Sequence, residues 1–227
     1  MDGDGSHRVL PQTRIMLRPI GSPLPLGLLA LACAGVLLGC EQIGAIKLTE
    51  GRSVAMILLG FVVPLMLLAT IFSFLARDTV AGTGLGLFAG AWLATALTAL
   101  TSPPGSTSQG LGVFLLTLAA AMIVLIAGAS FGKAGPAAVI VVGAGRFLLT
   151  GLYELNGHRG LEHAAAIVGF VLAGIALYSA LATTVEDVQG RPALPMGRRK
   201  KAMAALDAPF PTQLEGLEHE AGVRQQL

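Results

Sequence analysis

Long apolar runs alternate with short polar links along the chain. Runs of about 20 mostly apolar residues, the length a helix needs to cross a hydrocarbon core, occur at 24–45, 54–75, 83–101, 111–131, 136–155 and 163–185. They are too long, and too uniformly apolar, to be alternating strands. The links hold the usual breakers, most clearly "TSPPGSTSQG" at 101–110, with Pro103, Pro104 and Gly105. The pattern predicts an all-α, polytopic membrane protein, a bundle of six transmembrane helices over 21–188. Polar tails at 1–20 and 189–227 flank it and show no pattern that would build a core.

Composition sharpens this reading. Only 12% of the residues are charged and the mean hydropathy is +0.74, against roughly 25% charged in soluble domains. A formal net charge of +2 is too small to argue for a nucleic-acid partner. The cations segregate instead. With six spans, Arg8, Arg14, Arg18, Arg77, Lys133, Arg191, Arg198, Arg199, Lys200 and Lys201 fall on one side, and Lys47, Arg52 and Arg159 on the other. The positive-inside bias then places both termini in the cytoplasm, and the expected location is a plasma (inner) membrane of bacterial type. The "GRRKK" run acts as a stop signal there, with contact to anionic lipid as the alternative.

Cys33 and Cys40 share one helix at a separation of ~10 Å, beyond disulfide reach. "LLGC" at 37–40 resembles a lipoprotein cleavage box. Five further spans argue against it, since such a signal normally releases its protein from the bilayer. Gly82, Gly86 and Gly90, and again Gly35 and Gly39, repeat at four-residue spacing, which predicts close helix contacts.

The first run opens with "SPLPLGL" at 22–28. Prolines are tolerated in a first helical turn, where the missing N–H had no partner. Gly27 lies deeper and implies a close approach to the backbone. With "RDTVAGTGLGLFAGAW" (77–92), "LGVFL" (111–115), His163, Gly169 and Tyr178, and "GRPALPMG" (190–197), this segment resembles, in order and spacing, the motifs of the acetate uptake transporter family, the succinate–acetate permease-like proteins. The resemblance implies an acetate-channel-like bundle of six helices with its own pore in each protomer, assembled as a homo-oligomer, a hexamer. It implies small carboxylate substrates such as acetate, in some members succinate. It puts Pro23, Pro25 and Gly27 beside the translocation path, with room for a ligand near backbone. It assigns a pore constriction to Leu31, Phe88 and Gly143, two of them smaller than the family's residues, so that a wider constriction is expected. The chain departs from the family at Ser22, where the family has Asn, and at Gly39-Cys40-Glu41-Gln42, where the family has a polar Asn-Leu-His-Asn group.

The charges inside the spans are the remaining candidates. Arg146 stands near the middle of the fifth run, where it costs at least ~2.5 kcal/mol unless it finds water or a partner. Gly143, Thr150 and Glu154 fall within ~20° of one line on that helix, with Arg146 ~60° to the side. This stripe faces either a pore, with Arg146 attracting an anion, or a neighbouring helix, with Arg146 held by Glu41, Glu154 or a carbonyl. Glu41, Glu154, Glu162 and His163 lie at the outer ends of their spans and form either one vestibule or ordinary interfacial groups. Glu41 and His163 are the proton-site candidates, and Arg146, Thr150, Glu154 and Glu41 the substrate-binding candidates. No spacing supports a catalytic, metal or cofactor site, so no enzyme is expected. The expected function is a channel or proton-linked transporter for a small monocarboxylate such as acetate. The alternatives are passage of ammonia or a neutral acid, and a non-transporting scaffold.

Overall fold

The computed structural model describes residues 21–128, 134–189 and 194–197. The 1–20 tail, Lys133, Arg191 and the basic run at 198–201 lie outside the described residues, as does nearly all of the 189–227 tail. Among the described residues, six helical segments are long and apolar enough to cross a membrane: α1 (Leu24–Gln42), α2 (Leu48–Leu75), α3 (Thr79–Thr101), α4 (Gln109–Gly128), α5 (Ala134–Asn156) and α6 (Arg159–Gln189).

The helix limits follow from local chemistry. Pro23 precedes α1 and Pro25 sits in its first turn, where neither removes a needed donor. Gly44, at φ +77°, turns the chain after α1, so α1 ends before 45. Asp78 caps α3 by accepting a hydrogen bond from the Ala81 N–H at 2.9 Å, which starts that helix earlier than its apolar run. Between α2 and α3 the turn is tight enough to hold Arg77 in the left-handed region, φ 62°. Inside α2, Leu58–Val62 forms a π-helical turn just before Pro64. The proline ring crowds the Gly60 carbonyl and offers it no N–H, and the helix widens to relieve this. At 31 residues α6 is ~46 Å long, longer than the ~30 Å hydrocarbon core, and it extends beyond the apolar run in both directions.

Each helix packs on its neighbours in sequence, and α1 packs along α6 to close a ring in the order α1–α2–α3–α4–α5–α6. Small residues set the close contacts. A Cβ on Gly35 would stand 2.9 Å from the Gly169 carbonyl oxygen, and one on Gly112 3.0 Å from that of Gly151. Even a single added methyl group would push these backbones apart. Gly82 and Gly86 face Phe74 and Thr70 of α2, whereas Gly90 meets nothing within 4 Å. The expected groove is thus two glycines long and lies inside the protomer. At one end of the bundle, Asp187 of α6 accepts from the Ser22 N–H at 3.4 Å. There the 194–197 segment is docked by Tyr178 Oη donating to the Pro195 carbonyl (2.8 Å) and Ala134 N–H donating to that of Met196 (2.9 Å).

Candidate functional site

A cavity of about 420 Å³ lies at the opposite end of the ring, where α1, α3 and α5 finish and α2, α4 and α6 begin. Its wall carries Glu41 and Gln42 from α1, Arg52 and Leu58 from α2, Thr150, Tyr153 and Glu154 from α5, and Glu162 from α6. The 102–106 loop lies at its edge. Trp92, Arg146 and Phe147 form its inner end. Helical spacing explains this convergence. Phe88 and Trp92 are four apart on α3, and Gly143, Phe147, Thr150 and Glu154 follow one another at three- and four-residue steps on α5, with Arg146 three residues after Gly143 and four before Thr150, so each set shares a face.

An aromatic cluster closes the inner end. The Phe88 and Phe147 ring centroids are 5.2 Å apart, those of Trp92 and Phe147 6.0 Å, and those of Phe88 and Trp92 6.3 Å. Such pairs are worth ~0.5–1.5 kcal/mol each beyond burial. Phe88 is 1% exposed and Phe147 1%. Gly143 does not widen this point: the Phe88 ring lies against it, so that a Cβ would collide with Cζ and stand 2.8 Å from Cε1. The small residue admits the large one opposite it. Leu31 is fully buried in the same core. At Gly27 the close approach comes from protein. Its absent Cβ leaves space filled by Leu85 of α3 (2.7 Å) and Ala69 of α2 (3.1 Å), so helix packing accounts for the glycine, where the resemblance implied room for a ligand.

Arg146 is 1% exposed. Its Nη1 donates to the Ala165 carbonyl at 2.6 Å and its Nη2 to Gln42 Oε1 at 3.3 Å. Its Cζ lies 5.6 Å from the Trp92 ring centroid. Gly169 of α6 supplies the seat: a Cβ there would overlap Nη1 and stand 2.7 Å from Cζ. Two charge-assisted hydrogen bonds at ~1.5–3 kcal/mol each and a desolvated cation–π contact of ~2 kcal/mol offset the ~2.5–3.5 kcal/mol of placing Arg in a span. Among the described residues no carboxylate pairs with it. Of the partners expected from sequence, the carbonyl is present, and Glu41 and Glu154 are cavity neighbours only. A guanidinium carries five N–H donors, and two are engaged here.

The carboxylates have other roles. Glu154 Oε2 accepts from the Ser108 N–H at 2.7 Å and ties the α3–α4 loop to α5. Glu41 packs against Gly51, where a Cβ would come within 2.7 Å of its Oε1. Glu162 lies close enough to Glu41, Tyr153 and Glu154 to act on each electrostatically. Glu41, Glu154 and Glu162 therefore share one vestibule. His163 does not join them: it is exposed, outside the cavity wall, with Nδ1 3.0 Å from the Arg159 carbonyl of its own helix. Sequence reasoning missed Gln42 and Gly169 as the Arg146 seat, and gave Trp92 no role. Gly169 had been noticed only through the resemblance.

A model of the GPR1/FUN34/yaaH family matches residues 7–191. In a comparison with solved structures, the bacterial acetate channel SatP superposes with a TM-score of 0.70 at 20% identity, covering 78% of this chain and 99% of that one, a likeness that shows the fold. No match is found among curated proteins.

Proposed function

Because this chain belongs to the GPR1/FUN34/yaaH family, we propose that it is a membrane channel or proton-linked transporter for a small monocarboxylate such as acetate. The observation that carries this reading is Arg146, a buried cation at the inner end of a vestibule, with no carboxylate partner among the described residues and donors left over. A fixed positive charge in a low-dielectric recess lowers the entry barrier for an anion and raises it for a cation. The similar fold of the bacterial acetate channel SatP supports the same ligand class.

In this reading a carboxylate enters past Glu41, Glu154 and Thr150, meets Arg146, and crosses at the narrow point formed by Phe88 against Gly143, with Leu31 in the adjoining core. Glu41 is the proton-exchange group of the vestibule. The vestibule faces outward, both termini lie in the cytoplasm of a cell with a plasma (inner) membrane, and protomers assemble as a homo-hexamer, as the family resemblance implies. No enzymatic step is assigned. A second reading, passage of the neutral acid, draws on the aromatic closure of Phe88, Trp92 and Phe147, where a charged group would lose its hydration. Labelled acetate uptake into vesicles, with and without an imposed proton gradient, separates the modes. Uptake that follows the gradient supports proton coupling or passage of the neutral acid, uptake indifferent to it supports a channel for the anion, and no uptake over protein-free vesicles overturns the proposal.

A further inference from the structure

Trp92 Nε1 is a buried donor with no hydrogen-bond partner among the described residues. An indole N–H is normally paired when buried, and leaving one unpaired is unfavourable. Trp92 is 3% exposed, lines the vestibule and lies beside the Arg146 guanidinium. Two residues with donors to spare, one of them cationic, thus line the inner end of one cavity, with the guanidinium beside the indole ring. A carboxylate has two oxygens that accept both. A ligand seated there would place any tail among Phe147, Leu58 and the Trp92 ring, all apolar. A second carboxylate on a longer ligand would reach back into the rim, where Glu41, Glu154 and Glu162 converge. Arg52 is the rim's only cation among the described lining residues, and it is exposed, where its charge is screened.

We infer that Trp92 Nε1–H and Arg146 together form a carboxylate-binding subsite, and that the acidic rim above it selects short monocarboxylates against dicarboxylates. This rests on the reading of the chain as a carboxylate conductor and names the residues that set its selectivity. Trp92 is the second donor of the subsite and Arg146 its charged anchor. Glu162, close to both other rim glutamates, is the main barrier to a second negative group.

The chain contains one tryptophan, so emission excited beyond the tyrosine absorption band reports on the subsite alone. The test titrates the purified full-length protein with sodium acetate and with sodium succinate at neutral pH and matched ionic strength, using sodium chloride as the control. Acetate is expected to shift the Trp92 emission saturably, succinate and chloride not. In Arg146→Leu the acetate response should disappear. In Trp92→Phe, which keeps a ring and removes the donor, the KM for acetate flux in vesicles should rise about tenfold or more, as expected for losing a hydrogen bond to a charged group. Glu162→Gln should gain an emission response to succinate. Gel filtration checks that each variant is folded, and the wild-type and Arg146→Leu titrations decide the question if Trp92→Phe is not. Saturable acetate flux with an emission indifferent to acetate, or equal responses to acetate and succinate, overturns the subsite and leaves the transport reading standing. Saturable acetate-dependent emission without flux overturns the transport reading and supports the subsite. Absence of both overturns both.

Discussion

Replacing Gly169 by Ala adds one methyl group at the seat of Arg146. The new Cβ would overlap Nη1 and lie 2.7 Å from Cζ, and these are the end of a planar group pinned by Ala165 and Gln42. The guanidinium must move off α6 and surrender its 2.6 Å bond to the Ala165 carbonyl. Losing a charge-assisted bond in a buried site costs ~1.5–3 kcal/mol, and overpacking adds ~1–3 kcal/mol. Ala is the better helix former by ~1 kcal/mol. A net destabilisation of about 1.5–5 kcal/mol is expected. Gly174→Ala is the control on the same helix, since a Cβ there meets nothing within 4 Å. It should be neutral or slightly stabilising. Thermal unfolding of both variants in detergent measures the difference, and acetate flux in vesicles reads the displaced cation as a raised KM. If Gly169→Ala and Gly174→Ala melt together and Gly169→Ala keeps the wild-type KM, the account of the Arg146 seat is wrong.

Gly143→Ala should force Phe88 out of the aromatic cluster, costing about 1–3 kcal/mol by overpacking and altering flux, and unchanged melting and flux would show that the ring moves freely. Gly86→Leu should separate α3 from α2 at Thr70, whose Cγ2 lies 3.3 Å from the position of a Cβ. Aggregation or loss of the monodisperse peak in gel filtration is expected, and a wild-type profile would refute the close packing. Thr107→Cys, in a background with Cys33 and Cys40 replaced by Ala, should react with an impermeant maleimide on intact cells, and reaction only after permeabilisation would reverse the orientation.

The spans were legible because bilayer thickness demands apolar length, and the apolar runs stop within a few residues of Gly44, Asp78 and the Pro103–Pro104 turn, which end or start the helices. The ends were less legible. The first turns of α2 and α6 hold Arg52 and Glu162, polar residues that hydropathy assigns to links although the helix continues through them. Ring closure between α1 and α6 left only the glycines at 35 and 169 as a trace, and their partnership depends on tertiary geometry. The stripe on α5 was visible at helical spacing, and so was the polar end shared by Glu41, Glu154 and Glu162. A carbonyl was among the expected holders of Arg146, but which one was not legible, because a backbone carbonyl carries no sequence signal, and Gln42 was missed as an ordinary helix-end residue. The expectation of a wider pore at Gly143 failed for a related reason. A small residue leaves space only if its neighbour does not fill it, and Phe88 does.

Uptake of labelled acetate into vesicles at neutral pH, by wild type and Arg146→Leu side by side, tests the central claim most directly. Leu suits a membrane span, and no buried carboxylate among the described residues is orphaned when the cation leaves, so the variant should fold. Wild type should give saturable uptake above protein-free vesicles. Folded Arg146→Leu should lose most of it at a pH where the substrate is ionised, and less at acidic pH, where the neutral acid dominates. Equal uptake by the two proteins at neutral pH, or wild-type uptake no greater than that of protein-free vesicles, would contradict the account.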